Sequence, residues 1–106
     1  MDWIAERRLT FAKKESAERG ELLIRIGRPY LVNPQKVNFR IAEGTAGCTV
    51  ELVGLETEYL DEVYGADLLQ ALQLAADVEP TLKRLSREYE LFFPTGEPYF
   101  EEEEKG

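Results

Sequence analysis

The hydrophobic period of this chain changes once, and that change limits what it can fold into. Up to about residue 64, apolar side chains recur every second residue in short stretches separated by turn-forming residues; beyond Gly65-Ala66-Asp67 they recur about every 3.6 residues. The first pattern gives strands with one apolar face, the second a helix with one apolar stripe. Neither is stable in water unless it covers the other, so strands first and helix last predict one sheet with a helix laid across it.

Four strands are expected from the alternation. In the first, Trp3, Ala5, Leu9 and Phe11 share a face against Glu6, Arg8 and Thr10, with Arg7 falling on the apolar side. After a polar loop over 13–20, Leu22, Ile24 and Ile26 oppose Glu21, Leu23 and Arg25, and the second strand ends at Gly27. Pro29, Asn33 and Pro34 cannot continue a ladder, and Val37, Phe39 and Ile41 then form the third strand against Asn38 and Arg40. Residues 43–47 supply turn chemistry, and Cys48, Val50 and Leu52 oppose Thr49 and Glu51 in the fourth strand, which should form a hairpin with the third. A fifth short strand over 59–64 is interrupted in its alternation by Asp61 and Glu62.

The helical stripe runs through Leu68, Ala71, Leu72, Ala75, Val78, Leu82 and Leu85. Asp67 suits the N-cap, where its carboxylate accepts backbone N–H groups of the first turn, and Gln70 completes a capping box. Pro80 lacks an N–H and collides with the preceding turn, so the helix must kink or restart there, giving pieces over 67–78 and 80–88. Residues 89–93 are apolar enough to dock or to form a terminal strand. With no strand–helix–strand alternation before the helix, the expected class is α+β: an antiparallel sheet of four or five strands, with a C-terminal helix kinked or broken near Pro80 packed across one face. A chain of 106 residues supports one core. We expect a single domain over 1–93 and a flexible acidic tail over 94–106.

Ile4-Ala5-Glu6-Arg7 at the first strand and Tyr64-Gly65-Ala66-Asp67-Leu68-Leu69-Gln70-Ala71-Leu72-Gln73-Leu74-Ala75 at the helix start resemble a family of small bacterial proteins that share a domain of unknown function. The resemblance covers most of residues 4–88 and implies a bacterial origin; it carries no activity and no functional residues.

Residue content removes several chemistries. The chain has no histidine and one cysteine, which excludes Ser-His and Cys-His catalysis, histidine zinc sites and an internal disulfide. Cys48 lies on the apolar side of its strand and is expected to be a core residue. The glycines form neither a P-loop nor a dinucleotide fingerprint. Glu58, Asp61 and Glu62 could in principle ligate Mg²⁺, but their spacing matches no calcium loop, and no metal or other cofactor is expected. No apolar run is long enough to span a membrane and the N-terminus is charged, so a cytoplasmic protein is expected.

Charge is the informative signal. The net charge is -8, which opposes direct binding to nucleic acid. It is also unevenly placed: residues 1–55 hold nine Lys or Arg against seven Asp or Glu, a net of +2, whereas residues 56–106 hold four against fourteen, a net of -10. Glu56, Glu58, Asp61 and Glu62 form one candidate docking segment. Tyr99 and Phe100, followed by Glu101, Glu102, Glu103 and Glu104, form a second, with aromatic anchors beside steering charge. Arg8, Arg25 and Arg40 could align as a basic stripe, although Glu6, Glu21 and Glu51 are at hand to neutralise them. These features favour a non-enzymatic acidic protein-binding domain, of the immunity or inhibitor type, docking on a basic partner such as a bacterial toxin or nuclease. Two alternatives are a nucleic-acid-mimicking inhibitor of a DNA-binding protein and a small self-associating domain, for which a homodimer is possible.

Overall fold

A computed structural model describes residues 2–33 and 43–100. The elements are β1 (Trp3–Lys13), β2 (Gly20–Gly27), β3 (Tyr30–Leu31), β4 (Ala46–Val53), β5 (Tyr59–Gly65), α1 (Leu68–Ala76), α2 (Glu79–Leu85) and β6 (Tyr89–Phe92). The chain is α+β. All strand pairs are antiparallel, and the main sheet runs β6-β1-β2-β4-β5. β3 pairs with the edge of β4 that β2 also uses, one stretch further along, because β5 occupies the other edge throughout.

The alternation seen in the sequence builds the core. Leu9, Leu22, Ile24, Ile26, Cys48, Val50 and Leu52 line the covered face of the sheet and are all buried. Ala71, Ala75, Val78 and Leu82 of the helical stripe join the same cluster, with α1 packed on β4 and β5. Leu68, at the start of the stripe, is instead 43% exposed. The helix breaks as Pro80 requires: α1 ends at Ala76, and α2 restarts with Pro80 in its first turn. Asp67 is the N-cap of α1, its Oδ1 accepting from Gln70 N at 2.8 Å, a cap worth about 1 kcal/mol. Gln70 Oε1 accepts from Ala66 N at 2.6 Å, so the return bond reaches one residue beyond the cap.

Three expectations are corrected. Trp3 does not share a face with Leu9. An irregularity between Trp3 and Ala5 shifts the β1–β2 register, Trp3 stands opposite Gly27 on the uncovered side, and the Arg25 guanidinium lies 4.5 Å from its ring centroid. The acidic pair Asp61-Glu62 does not interrupt β5, which pairs with β4 from Tyr59 to Gly65 because an edge strand keeps both faces near solvent. The tail does not begin at Pro94. Residues 89–92 form β6 beside β1, and the chain then turns back: Phe93 N donates to Glu97 O, Gly96 N to Phe93 O and Tyr99 N to Leu91 O. Tyr99 and Phe100 pack on the core cluster, so the folded unit extends at least to Phe100. The expected third strand, Val37 to Ile41, lies outside the described residues, as do residues 101–106. Among the described residues no helix is long and apolar enough to cross a membrane.

Candidate functional site

Because side chains alternate across a strand, the β4–β5 register assigns each acidic residue to a side of the sheet. Tyr59, Asp61 and Val63 stand opposite Leu52, Val50 and Cys48 on the helix-covered side; Leu60, Glu62 and Tyr64 stand opposite Glu51, Thr49 and Gly47 on the uncovered side. Asp61 and Glu62 therefore point to opposite sides and cannot ligate one ion together. Among the described residues no group of three His, Cys, Asp or Glu is placed to hold a metal.

Glu62 is the most built of the candidate residues. Its carboxylate accepts from the Tyr30 hydroxyl and, at 2.9 Å, from Thr49 Oγ1, so three strands fix one charged group. Tyr30 reaches it by lying across β4 at Gly47, where a Cβ would come within 2.7 Å of the ring. Sequence reasoning missed Tyr30 and Thr49. Tyr30 falls between Pro29 and Asn33, where no strand is expected, and the signal in the sequence is the bare Gly47 two residues before a polar-side threonine.

Glu56 and Glu58 lie elsewhere. Glu56 Oε2 is 3.0 Å from Lys13 Nζ, a neutralising pair that raises the Lys13 ammonium above its usual range. Glu58 lines a cleft of about 310 Å³ whose apolar wall includes Leu52, Leu55, Tyr59 and Leu85, with Arg84 at its side. The aromatic pair of the C-terminal segment is engaged within the fold: Tyr99 donates to Glu79 and accepts from Arg7 Nη1 at 2.7 Å, while Lys83 Nζ lies 4.5 Å from the Phe100 ring centroid. Arg7, which the alternation placed on the apolar side, is accommodated there by this pairing and by Glu79 Oε2 at 3.3 Å. Glu101 to Glu104 lie outside the described residues.

The basic stripe is paired in place. Arg25 Nε donates to Glu51 Oε1 at 3.0 Å, with both side chains largely covered, and Arg8 lies 3.4 Å from Glu6 and 4.0 Å from Glu21. Arg40 lies outside the described residues. Cys48 is fully buried, donates to Gly27 O at 3.2 Å, and has its thiol pushed up by burial, which leaves it poorly suited to act as a nucleophile.

What the fold does gather is a set of packed elements that carry no cation. No Lys or Arg occurs between Arg40 and Lys83, a stretch that supplies β4, β5 and α1, and these three elements pack on one another. The ion pairs of the described residues use Asp2, Glu6, Glu21, Glu51, Glu56 and Glu79. Glu58, Asp61, Glu62 and Asp67 have no cationic partner among the described residues. Exposed apolar side chains accompany them, Leu60 at 62% and Leu69 at 65%.

Two tyrosines make the fold sensitive to alkali. Burial, then the hydrogen bond to Glu62, raises the Tyr30 phenol well above its ordinary value, and burial followed by Glu79 raises Tyr99. A phenol whose folded pKa is raised stays neutral where the unfolded chain ionises. Its contribution is thus complete below the unfolded value of about 10 and is lost as pH climbs from there toward the folded value. Urea midpoints measured across this range should fall, and Tyr30→Phe should flatten the decline. An equally steep decline in Tyr30→Phe would contradict the assignment to Tyr30.

Comparison of the chain with protein-family models, curated proteins and solved structures finds no match.

Proposed function

We propose that this chain is a non-enzymatic acidic binding domain that docks a basic protein partner through the β4–β5–α1 side. The observation that carries the reading is the placement of Asp61 and Glu62 on β5, with Glu58 just before it and Asp67 capping α1, all without cationic partners among the described residues and beside three mutually packed elements that contain no Lys or Arg. Negative potential gathered on one side attracts a cationic surface and speeds encounter, while the exposed leucines beside it supply apolar contact once the two meet. In its most concrete form the domain is an immunity- or inhibitor-type protein that neutralises a basic bacterial toxin or nuclease, whose cationic substrate groove has the complementary sign.

The proposal drops Glu56, which Lys13 occupies, and Tyr99 and Phe100, which hold the C-terminal segment to its own domain. Affinity capture with the tagged protein, washed at low and then high salt, tests it. A basic protein should be retained at low salt and released at high salt. The double reversal Glu58→Lys/Asp61→Lys should lower the association rate by roughly tenfold or more, with dissociation changed less. Capture that is insensitive to salt and to the reversal would refute the reading.

A further inference from the structure

We infer that the outer edge of β5 receives an extended basic segment of the partner as an added strand. This deepens the docking reading and rests on it. Among the described residues β5 pairs with β4 alone, so its outer side forms an edge for pairing from Tyr59 to Gly65, apart from the Glu62 N–H, which donates to Asp61 Oδ1 at 2.9 Å. The opposite end of the sheet differs: beyond β6 the chain folds back and bridges Phe92 to Pro98.

The side chains along β5 select the kind of strand. Asp61 faces the helix side and Glu62 the uncovered side, so the edge presents a carboxylate to each face of an incoming strand at adjacent positions. A strand with Lys or Arg at neighbouring positions places one cation opposite each, and cross-strand pairs of opposite charge favour pairing. Glu62 is held for this by Tyr30 and Thr49, which limits the side-chain ordering that binding must impose. Leu60 at 62% exposure and Tyr64 at 45% flank Glu62 on the uncovered side and offer apolar contact to alternate residues of the added strand. A second copy of this chain is the wrong occupant. Antiparallel pairing of β5 with itself about its middle residue sets Glu62 against Glu62, and like charges directly opposite destabilise a ladder. The charges that keep the edge from joining its own copy thus admit a basic strand.

The probe is a synthetic lysine–valine peptide as long as β5 with two adjacent lysines at its centre and valine elsewhere, compared with a lysine–glycine peptide in which glycine replaces the valines and a glutamate–valine peptide in which glutamate replaces the lysines. In NMR titrations of the full chain, the lysine–valine peptide should slow hydrogen exchange at alternate β5 amides and give cross-strand contacts to β5. The lysine–glycine peptide should bind without that protection and the glutamate–valine peptide not at all. Asp61→Asn/Glu62→Gln, which removes both charges and keeps one of the two oxygens that accept from Tyr30 and Thr49, should weaken binding about tenfold. Shifts confined to α1 with β5 exchange unchanged, no saturable binding, or β5–β5 contacts in the protein alone would each overturn the inference. Salt-sensitive capture of a basic protein, with β5 amides exchanging in the complex as they do alone, would remove strand addition and leave the docking reading standing. Salt-insensitive capture would remove the docking reading whatever the peptide does.

Discussion

Gly54→Ala should be the most damaging small substitution in this chain, lowering stability by about 3–5 kcal/mol. Two effects coincide there. Gly54, just past β4, has φ +120°, a region that L side chains rarely adopt, and a Cβ would lie 2.0 Å from the backbone oxygen of Glu21 at the start of β2. A backbone carbonyl in a paired strand cannot swing aside like a flexible side chain, so the β2–β4 pairing itself must give way. A domain of this size has only about 5–15 kcal/mol in total, so the variant should unfold at a much lower urea concentration. Gly96→Ala separates the two effects. Gly96 has φ +102° with nothing within 4 Å of its would-be Cβ, so it should lose only the conformational part, about 1 kcal/mol. Equal urea midpoints for the two variants would show that the contact with Glu21 does not decide the outcome.

Leu82→Ala should cost about 2–5 kcal/mol, the range for truncating a fully buried leucine. Leu82 is 0% exposed and is the one fully enclosed residue of α2. A helix of seven residues cannot persist on its own, so α2 exists because Leu82 and its neighbours hold it in the core. Cutting the side chain should therefore also loosen the anchorage that α2 gives the C-terminal segment through Glu79 and Lys83. Urea denaturation gives the first effect, and faster hydrogen exchange at Tyr99, whose amide bonds to Leu91, gives the second. Leu69→Ala, at a position 65% exposed, is the control and should stay within about 0.5 kcal/mol of the parent. If the two leucine variants unfold together, the core assigned to α2 is wrong.

The candidate surface was only partly legible before folding. Charge segregation along the chain is a sequence property, and it survived because β4, β5 and α1 are consecutive elements that pack together. Which carboxylates remain uncompensated is not such a property. Lys13 lies far from Glu56 in sequence and meets it in space, and Arg7 meets Glu79 in the same way. Asp61 and Glu62 are adjacent in sequence, yet pairing with β4 sends them to opposite sides of the sheet.

Local chemistry alone determined the strand alternation, the Asp67 cap, the break at Pro80 and the α+β class, because each depends on residues within about a turn or a strand of one another. Tertiary structure alone decided the rest: Trp3 beneath Arg25, Tyr30 across Gly47 onto Glu62, and Tyr99 between Arg7 and Glu79. These contacts join residues distant in sequence, and a side chain that is polar in one place and apolar in another takes its role from what the fold brings against it. The same holds for the acidic edge of β5, whose charge is written in the chain and whose exposure is set by strand order.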